Sequence, residues 1–542
     1  MAKINFKDIS TSGFDEDVLT TATSGERVIN FGHLTTTGNL ANGIFADAND
    51  VAIRNFATIE TSGLGAAGIF VQGDDAHIAN YGSVVTHGNF YDPDPSVDGD
   101  EFFSEGIFAE GDRFYIANHG SVHVDGESSS GLVGVGAEGL VVNYGSVESL
   151  SDASVVVAAF GDGSRVVNAG EVTAGGADTD ALHVLGDGAS ALNLGRVLVT
   201  GVDTAGIAGV LANTHVTNRG FVVVTADDDI GMGGFGDGHR VDNFGLIETH
   251  GTFAMGMVAR GGGPLQLPGL GTEVFNAGHI VSAGDGAMGI AIGLDGFGFA
   301  AAGDDEIANR GIIETQGDGA AGVIMVGDGH HLTNSGRITT AGGAFDSADV
   351  GAVFRAAGVV VSGDEADVEN TRSGVIESKN ADSAAVELNV LERDGLPAAD
   401  MASRLENFGL IKGADVAVLG GAGEEIVINH GRIVGDVELG GGADTFVFGK
   451  GGVLAGKLFL GGGDDTVVME DGSGATRVAD FAAGAASGDV IDVSAFFSNF
   501  SQLTAHSRQR GNDVVVTLDH NDTLLLENVQ IGTLNAHDFL FV

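Results

Sequence analysis

The chain contains no cysteine and no tryptophan, has only 5 prolines in 542 residues, and sets 24 Lys plus Arg against 75 Asp plus Glu. Each shortage excludes something. Without cysteine there is no disulfide framework, no thiolate nucleophile and no Cys-based metal site. The formal net charge of -51 repels phosphate backbones, so nucleic acid is not expected as a partner, whereas cations, above all Ca2+, are. No run of 18 apolar residues occurs, so no membrane-spanning helix is expected, and Met1 to Ser10 lacks the apolar core of a secretory signal. Few aromatics and high charge can accompany disorder, but 43% of the residues are hydrophobic, so a folded chain with an acidic surface is the better reading.

Apolar residues and asparagines recur in register. Asparagines that open a similar segment stand at 30, 55, 80, 118, 143, 168, 193, 218, 243, 276, 309, 334, 370, 407 and 429, and eight of the fourteen intervals are 25. Two residues before each lies Val, Ile or Leu, except at Ala191, and four after each lies Leu, Ile or Val, except at Gly374. Eleven before, a further apolar position returns as Ile44, Ile69, Ile107, Leu132, Val157, Leu182, Ile207, Met232 and Val323. Period-2 alternation around each Asn indicates strands, and pairs such as Gly73-Asp74 and Gly161-Asp162 indicate turns.

Two or three short strands per 25 residues cannot bury their own apolar side, but stacked copies can. The fold expected is all-β, a single long parallel β-solenoid of ~25-residue coils, each advancing roughly 4.8 Å, so that fifteen coils make a rod on the order of 75–85 Å. An asparagine in line with core positions needs partners for its amide, and identical amides one coil apart can bond one another as an Asn ladder. The glycine two residues on is expected to permit the bend. The residue after the ladder Asn is Phe31, Phe56, Tyr81, His119 and Tyr144 in five successive coils, then Phe244 and Phe408, and this stripe is expected to be core or semi-buried. The longer intervals place loops near 89–103, 261–269, 294–302, 341–356 and 389–400.

From about residue 435 the pattern changes. Leu439 to Val447 reads LGGGADTFV and Leu460 to Val468 reads LGGGDDTVV. These resemble the glycine- and aspartate-rich nonapeptide of the RTX family, in which turn carbonyls and an Asp carboxylate hold Ca2+. The resemblance implies ligands at Gly440, Gly442, Asp444, Gly461, Gly463 and Asp465. Leu439 and Leu460 stand where the family has its first Gly, and the copies lie 21 residues apart, which suits one calcium clamped between coils rather than a long calcium roll. Ala479-Asp480-Phe481, Asp489 to Ser494, Gly511-Asn512-Asp513 and the end Asp538 to Val542 resemble the closing domain of RTX proteins exported by type I secretion. That implies an uncleaved C-terminal export signal and an extracellular or surface location. The organisation expected is therefore a first coil or cap (1–25), the solenoid (26–434), RTX-like coils (435–472) and a secretion or capping domain (473–542).

A second calcium candidate lies in the first loop, where Asp94, Ser96, Asp98, Asp100 and Glu105 follow the EF-hand spacing, with Gly99 at its turn. A merely acidic, solvated loop is the alternative. Function then divides three ways. The reading preferred is a secreted, calcium-dependent structural protein of a matrix, surface layer or biofilm, self-associating head-to-tail or laterally. Parallel β-helices also carry polysaccharide lyases and C5-epimerases, but the Asp-Pro-His motif of the latter is absent, and basic residues are few. The third reading is a polysaccharide-binding adhesin that uses the aromatic stripe.

Overall fold

The computed structural model describes residues 2–93, 102–260, 271–295, 298–299, 303–347, 352–390, 401–484 and 488–541. They form two compact units, Met1–Thr272 and Glu273–Val542, and each is a parallel β-helix.

In the first unit one coil is three short strands. The opening coil comprises β1 (Ala2–Asn5), β2 (Ile9–Thr11) and β3 (Leu19–Thr21), and the next comprises β4 (Arg27–Asn30), β5 (Leu34–Thr36) and β6 (Ile44–Asp47). Each strand pairs in parallel with its counterpart, bringing Asn5 to Asn30, Ile9 to Leu34 and Leu19 to Ile44. Residues 2–25 are thus a coil in register with its successors. Three apolar columns fill the interior, for example Ile53 over Ile78, Ile59 over Val84 and Ile69 over Ile107, all at most 1% exposed. Burying one such side chain contributes about 1.5–3 kcal/mol, and stacking secures that burial for every coil at once.

The asparagines form the expected ladder. Up to Asn429, where the column ends, Nδ2 donates to the Oδ1 of the next coil, as from Asn143 to Asn168 and from Asn168 to Asn193, both at 2.9 Å. Most of these Oδ1 atoms also accept from the N–H two residues on, as from Gly170 to Asn168 at 3.1 Å. The ladder starts one coil before the sequence reading placed it, at Asn5, which donates to Asn30. The glycine has a role different from the one expected. Gly170 has an ordinary φ, but a Cβ there would meet the Gly145 carbonyl oxygen at 2.0 Å. Close approach of successive coils, not the bend, favours glycine there, although Ala57 holds the same place after Asn55.

The insertions leave this register intact. Asn80 pairs with Asn118 across a 38-residue interval, and the excursion leaves through an antiparallel bridge between Tyr91 and Phe102. Ala344–Ser347 and Ala352–Arg355 likewise form an antiparallel hairpin in the second unit. The exception at Gly374 has a simple cause: two extra residues occupy the corner, and Ile376 takes the core place between Ile338 and Ile411.

In the second unit the ladder runs through Asn276, Asn309, Asn334, Asn370, Asn407 and Asn429. It ends there, because Phe448 and then Met469 stand in register with Asn429 and are buried. The unit finishes with a short helix, Phe500–Ala505, capped by Asn499, and with antiparallel strands Ser507–Arg510, Asp513–Thr517 and Thr523–Leu526. Phe539–Leu540 pairs with Val490–Asp492, and Phe539 is buried.

Asn168→Ala should lower unfolding free energy by about 2–5 kcal/mol, because it leaves buried donors of Gly170 and Asn143 short of acceptors. Gly170→Ala should also destabilise by forcing successive coils apart. Denaturant unfolding of both variants checks this, and a loss under about 1 kcal/mol for Asn168→Ala would refute the ladder's energetic role.

Candidate metal centre

The glycine-rich turns are built as their sequence requires. Gly440, Gly442, Gly461 and Gly463 have φ of 96°, 135°, 89° and 139°, a region that side chains disfavour. A Cβ at Gly463 would also sit 1.6 Å from the Gly442 carbonyl oxygen, so these turns stack as closely as the ladder corners. Their backbone bonds run between coils: Gly462 N–H donates to the Gly440 carbonyl at 2.9 Å, and Gly442 N–H to the Gly462 carbonyl at 2.8 Å.

The two aspartates of these turns lie on successive coils and are each 1% exposed. Asp444 Oδ1 accepts the Glu425 N–H at 2.8 Å, and Asp465 Oδ1 accepts the Asp444 N–H at 3.0 Å. The stack extends in both directions beyond the residues the sequence singled out. Asp489 accepts the Asp465 N–H at 3.4 Å, and Glu425, fully buried, precedes Asp444. Searching one coil length either side of Asp444 and Asp465 would have found both. Asp480 caps the second turn, accepting from Leu460 and Gly461.

Glu425 Oε2, Asp444 Oδ2 and Asp465 Oδ2 are buried with no hydrogen-bond partner. Burial pushes Asp465 up to about 6. Burial and then the facing Asp444 carboxyl hold Glu425 well above the usual carboxylate range, and burial raises Asp444 and Asp489 as well. A buried anion without a counter-charge costs several kcal/mol, so such a stack is occupied either by protons or by a cation. Hard oxygen donors fit Ca2+, which when bound would supply the missing positive charge. Asp444 and Asp465, with Glu425 and Asp489 as the adjoining acids, are the residues that would hold it, although no three of these four bring ligand oxygens within 4.8 Å of one another. Elsewhere, Asp471, Asp519 and Asp522 bring carboxylate oxygens within 4.8 Å of one another, and Asp522 already accepts from Gly472 and Gly474.

Of the first-loop candidates, Asp94, Ser96, Asp98 and Asp100 lie outside the described residues. Glu105 is buried, its carboxyl is raised to about 7 by desolvation, and its Oε2 accepts the Ser130 N–H of the next coil at 2.6 Å. The structure therefore gives Glu105 a coil-to-coil role. Asn42, in the same corner, accepts from Ala67 in the same way.

Residues 2–159 and 148–374 match the family model of the BigA third pectate lyase-like domain. The chain belongs to this family. The two overlapping matches cover the coils up to residue 374, so the glycine-rich turns and the acid stack lie beyond them. No curated protein matches the chain. Among the described residues no helix is long and apolar enough to cross a membrane.

Within the family-matched coils the aromatic stripe is not core. Phe31, Phe56, Tyr81 and Tyr144 are 42–51% exposed, because in–out alternation continues through the ladder Asn. Phe6, missed in the sequence, begins the row and is 73% exposed. From Phe6 through Phe31, Phe56, Tyr81 and His119 to Tyr144, ring centroids are 4.7–5.1 Å apart with planes within 10°. Each interior ring has both faces covered by its neighbours. Only edges meet solvent, so the row is a second ladder rather than a platform for sugar faces.

The raised carboxyls fix a pH dependence. In the cation-free chain the folded state holds protons that the unfolded state releases near pH 4, so this stability is full at low pH and is lost as pH rises through about 6 for Asp465 and higher for Glu425. Scanning calorimetry in EGTA should therefore show the second unit melting at lower temperature at neutral pH than at about pH 5, and calcium should reverse that order. Asp444→Asn should raise cation-free stability at neutral pH by about 1–3 kcal/mol and abolish the calcium-induced shift. A variant that still responds to calcium like the parent rules out this stack as the site.

Proposed function

We propose that the protein is an extracellular, calcium-dependent β-solenoid with a structural rather than catalytic role in a matrix, surface layer or adhesive filament, exported by the type I pathway. The observation that carries the calcium dependence is the run of orphaned carboxylate oxygens on Glu425, Asp444 and Asp465. A self-sufficient core has no use for three buried acceptors, whereas a chain that completes its last coils on meeting external calcium does. The C-terminal resemblance to RTX exported proteins supports the same route.

Self-association is supported by the first coil. Among the described residues β1 pairs only with β4, and a further strand could pair along its other edge. Beside that edge lie Ile4, Phe6 and Phe14, exposed by 53%, 73% and 65%, and the outer face of Phe6 carries no ring. A second copy seated here would extend the strand pairing and the aromatic row together. Calcium would also screen the repulsion between chains of formal charge -51.

Electron microscopy of the purified chain in EGTA and then in millimolar calcium tests this reading. Ordered fibres or sheets should form only with calcium, and Ile4→Lys/Phe6→Asp should leave the calcium-induced melting shift unchanged while reducing assembly. Dispersed particles in both conditions would reject self-assembly.

A further inference from the structure

The stack of coils in the first unit begins at a corner built around Phe6. Its ring is 73% exposed, with one face stacked on Phe31 at 5.1 Å and 5° between the planes. The strands β1 and β2 flank it and pair with β4 and β5. Beside it Lys7 and Asp8 are exposed and opposite in charge. Over the core the same coil is closed. Lys3, in register with Val28 of the apolar column, donates from Nζ to the Thr20 carbonyl at 2.8 Å and lies 3.4 Å from Glu26. A partner therefore rests on the Phe6 corner more readily than over the core, where that ammonium would have to be buried further.

The second unit finishes differently. In its last coils the residue after the ladder position is Gly449 and then Glu470, following Phe448 and Met469 in register with Asn429. Stacked head to tail, Phe6 would face a glycine or a carboxylate rather than a ring. Beyond those coils come the antiparallel strands, of which Ser507–Arg510 is polar, largely exposed and paired with Asp513–Thr517. What matches a flat ring with one face open is another flat ring, and a second copy's first coil supplies it.

We propose that two copies associate head to head, with their Phe6 rings stacked across a two-fold axis, and not head to tail. This deepens the self-association proposed above and rests on it. In an isologous contact a group near the axis meets its own copy, which suits an aromatic ring. Its neighbours meet reciprocally, so Lys7 of each chain can face Asp8 of the other. The edges of β1 and β2 can pair antiparallel across the same axis. Such a contact closes on two chains, whereas a head-to-tail contact would go on adding them. The acid stack takes no part, so the pair forms with or without calcium, and calcium then gathers pairs rather than single chains.

Because the chain has no cysteine, one introduced thiol reports a contact cleanly. Lys7→Cys, Arg510→Cys and the double variant are treated with a short bis-maleimide in EGTA and in millimolar calcium, beside sedimentation of the parent. Lys7→Cys should give covalent pairs in both buffers. In EGTA, Arg510→Cys should stay single and the double variant should stop at two chains. Adding Phe6→Asp, a change at an exposed site, should lower the Lys7→Cys yield at least roughly 10-fold while leaving the melting temperature unchanged. Ladders of products from the double variant in EGTA would overturn the head-to-head contact and leave self-association standing. So would a parent and a Lys7→Cys variant that both sediment as multimers while the thiol stays uncrosslinked. A parent that sediments as single chains at every concentration in both buffers would remove this proposal and the self-association together.

Discussion

One hydrogen bond, from a side-chain amide to the same amide one coil away, constrains the rest of the structure. An amide carries both a donor and an acceptor, so a column of them satisfies itself indefinitely inside an apolar core. Bonds of 2.8–2.9 Å hold successive corners at strand spacing, and that closeness leaves little space for a Cβ two residues on, where glycine is usual and Ala57 an exception. Register is set by the same column, since a slip of one residue would turn the amides outward and the apolar columns with them. Insertions are tolerated wherever the chain can leave and return without disturbing that column, which is why Asn80 still finds Asn118.

The acidity of the chain has a related explanation. Many carboxylates sit at the turns and accept the backbone N–H of the next coil, as Asp74 does from Asp112, Asp112 from Ala137 and Asp318 from Gly343. At an exposed turn the second carboxylate oxygen is solvated, so the cap costs little. The same device in the interior behaves differently. Asp444 and Asp465 each satisfy one oxygen by accepting an N–H from the preceding coil, and the other has nowhere to go. A carboxylate has no donor with which to continue a ladder. The difference between the two buried columns is thus the difference between an amide and an acid.

Much of this was legible in the sequence because the ladder imposes a period that side-chain types reveal. The apolar positions two before and four after each Asn became the core columns, and even Ala191, the one small residue, is buried. The features that escaped did so for physical reasons. Asn5 lacks a preceding repeat to measure from. Ile376 was hidden by two extra corner residues that shift the count without shifting the space. The aromatic row was misplaced because sequence does not tell whether alternation survives a bend. Glu425 and Asp489 escaped because the glycine-rich motif drew the search to its own nine residues, while the column they join runs across coils. The acidic loop of residues 94–100 lies outside the described residues, so its spacing alone speaks for it.

The two columns meet in one strand. Glu424–Asn429 carries both Glu425, where the acid stack begins, and Asn429, whose Nδ2 is left without a partner where the amide ladder ends. Before this coil the amide column satisfies itself, and after it Phe448 and Met469 replace the amide while the acids require a proton or a cation. In a stacked fold each coil is stable only against its neighbours, so a change of this kind confines sensitivity to the coils beyond it. Coils up to Glu424 can form wherever the chain can fold. The later ones answer to the medium through their buried acids, whose protonation, or neutralisation by a cation, would decide how readily those coils form.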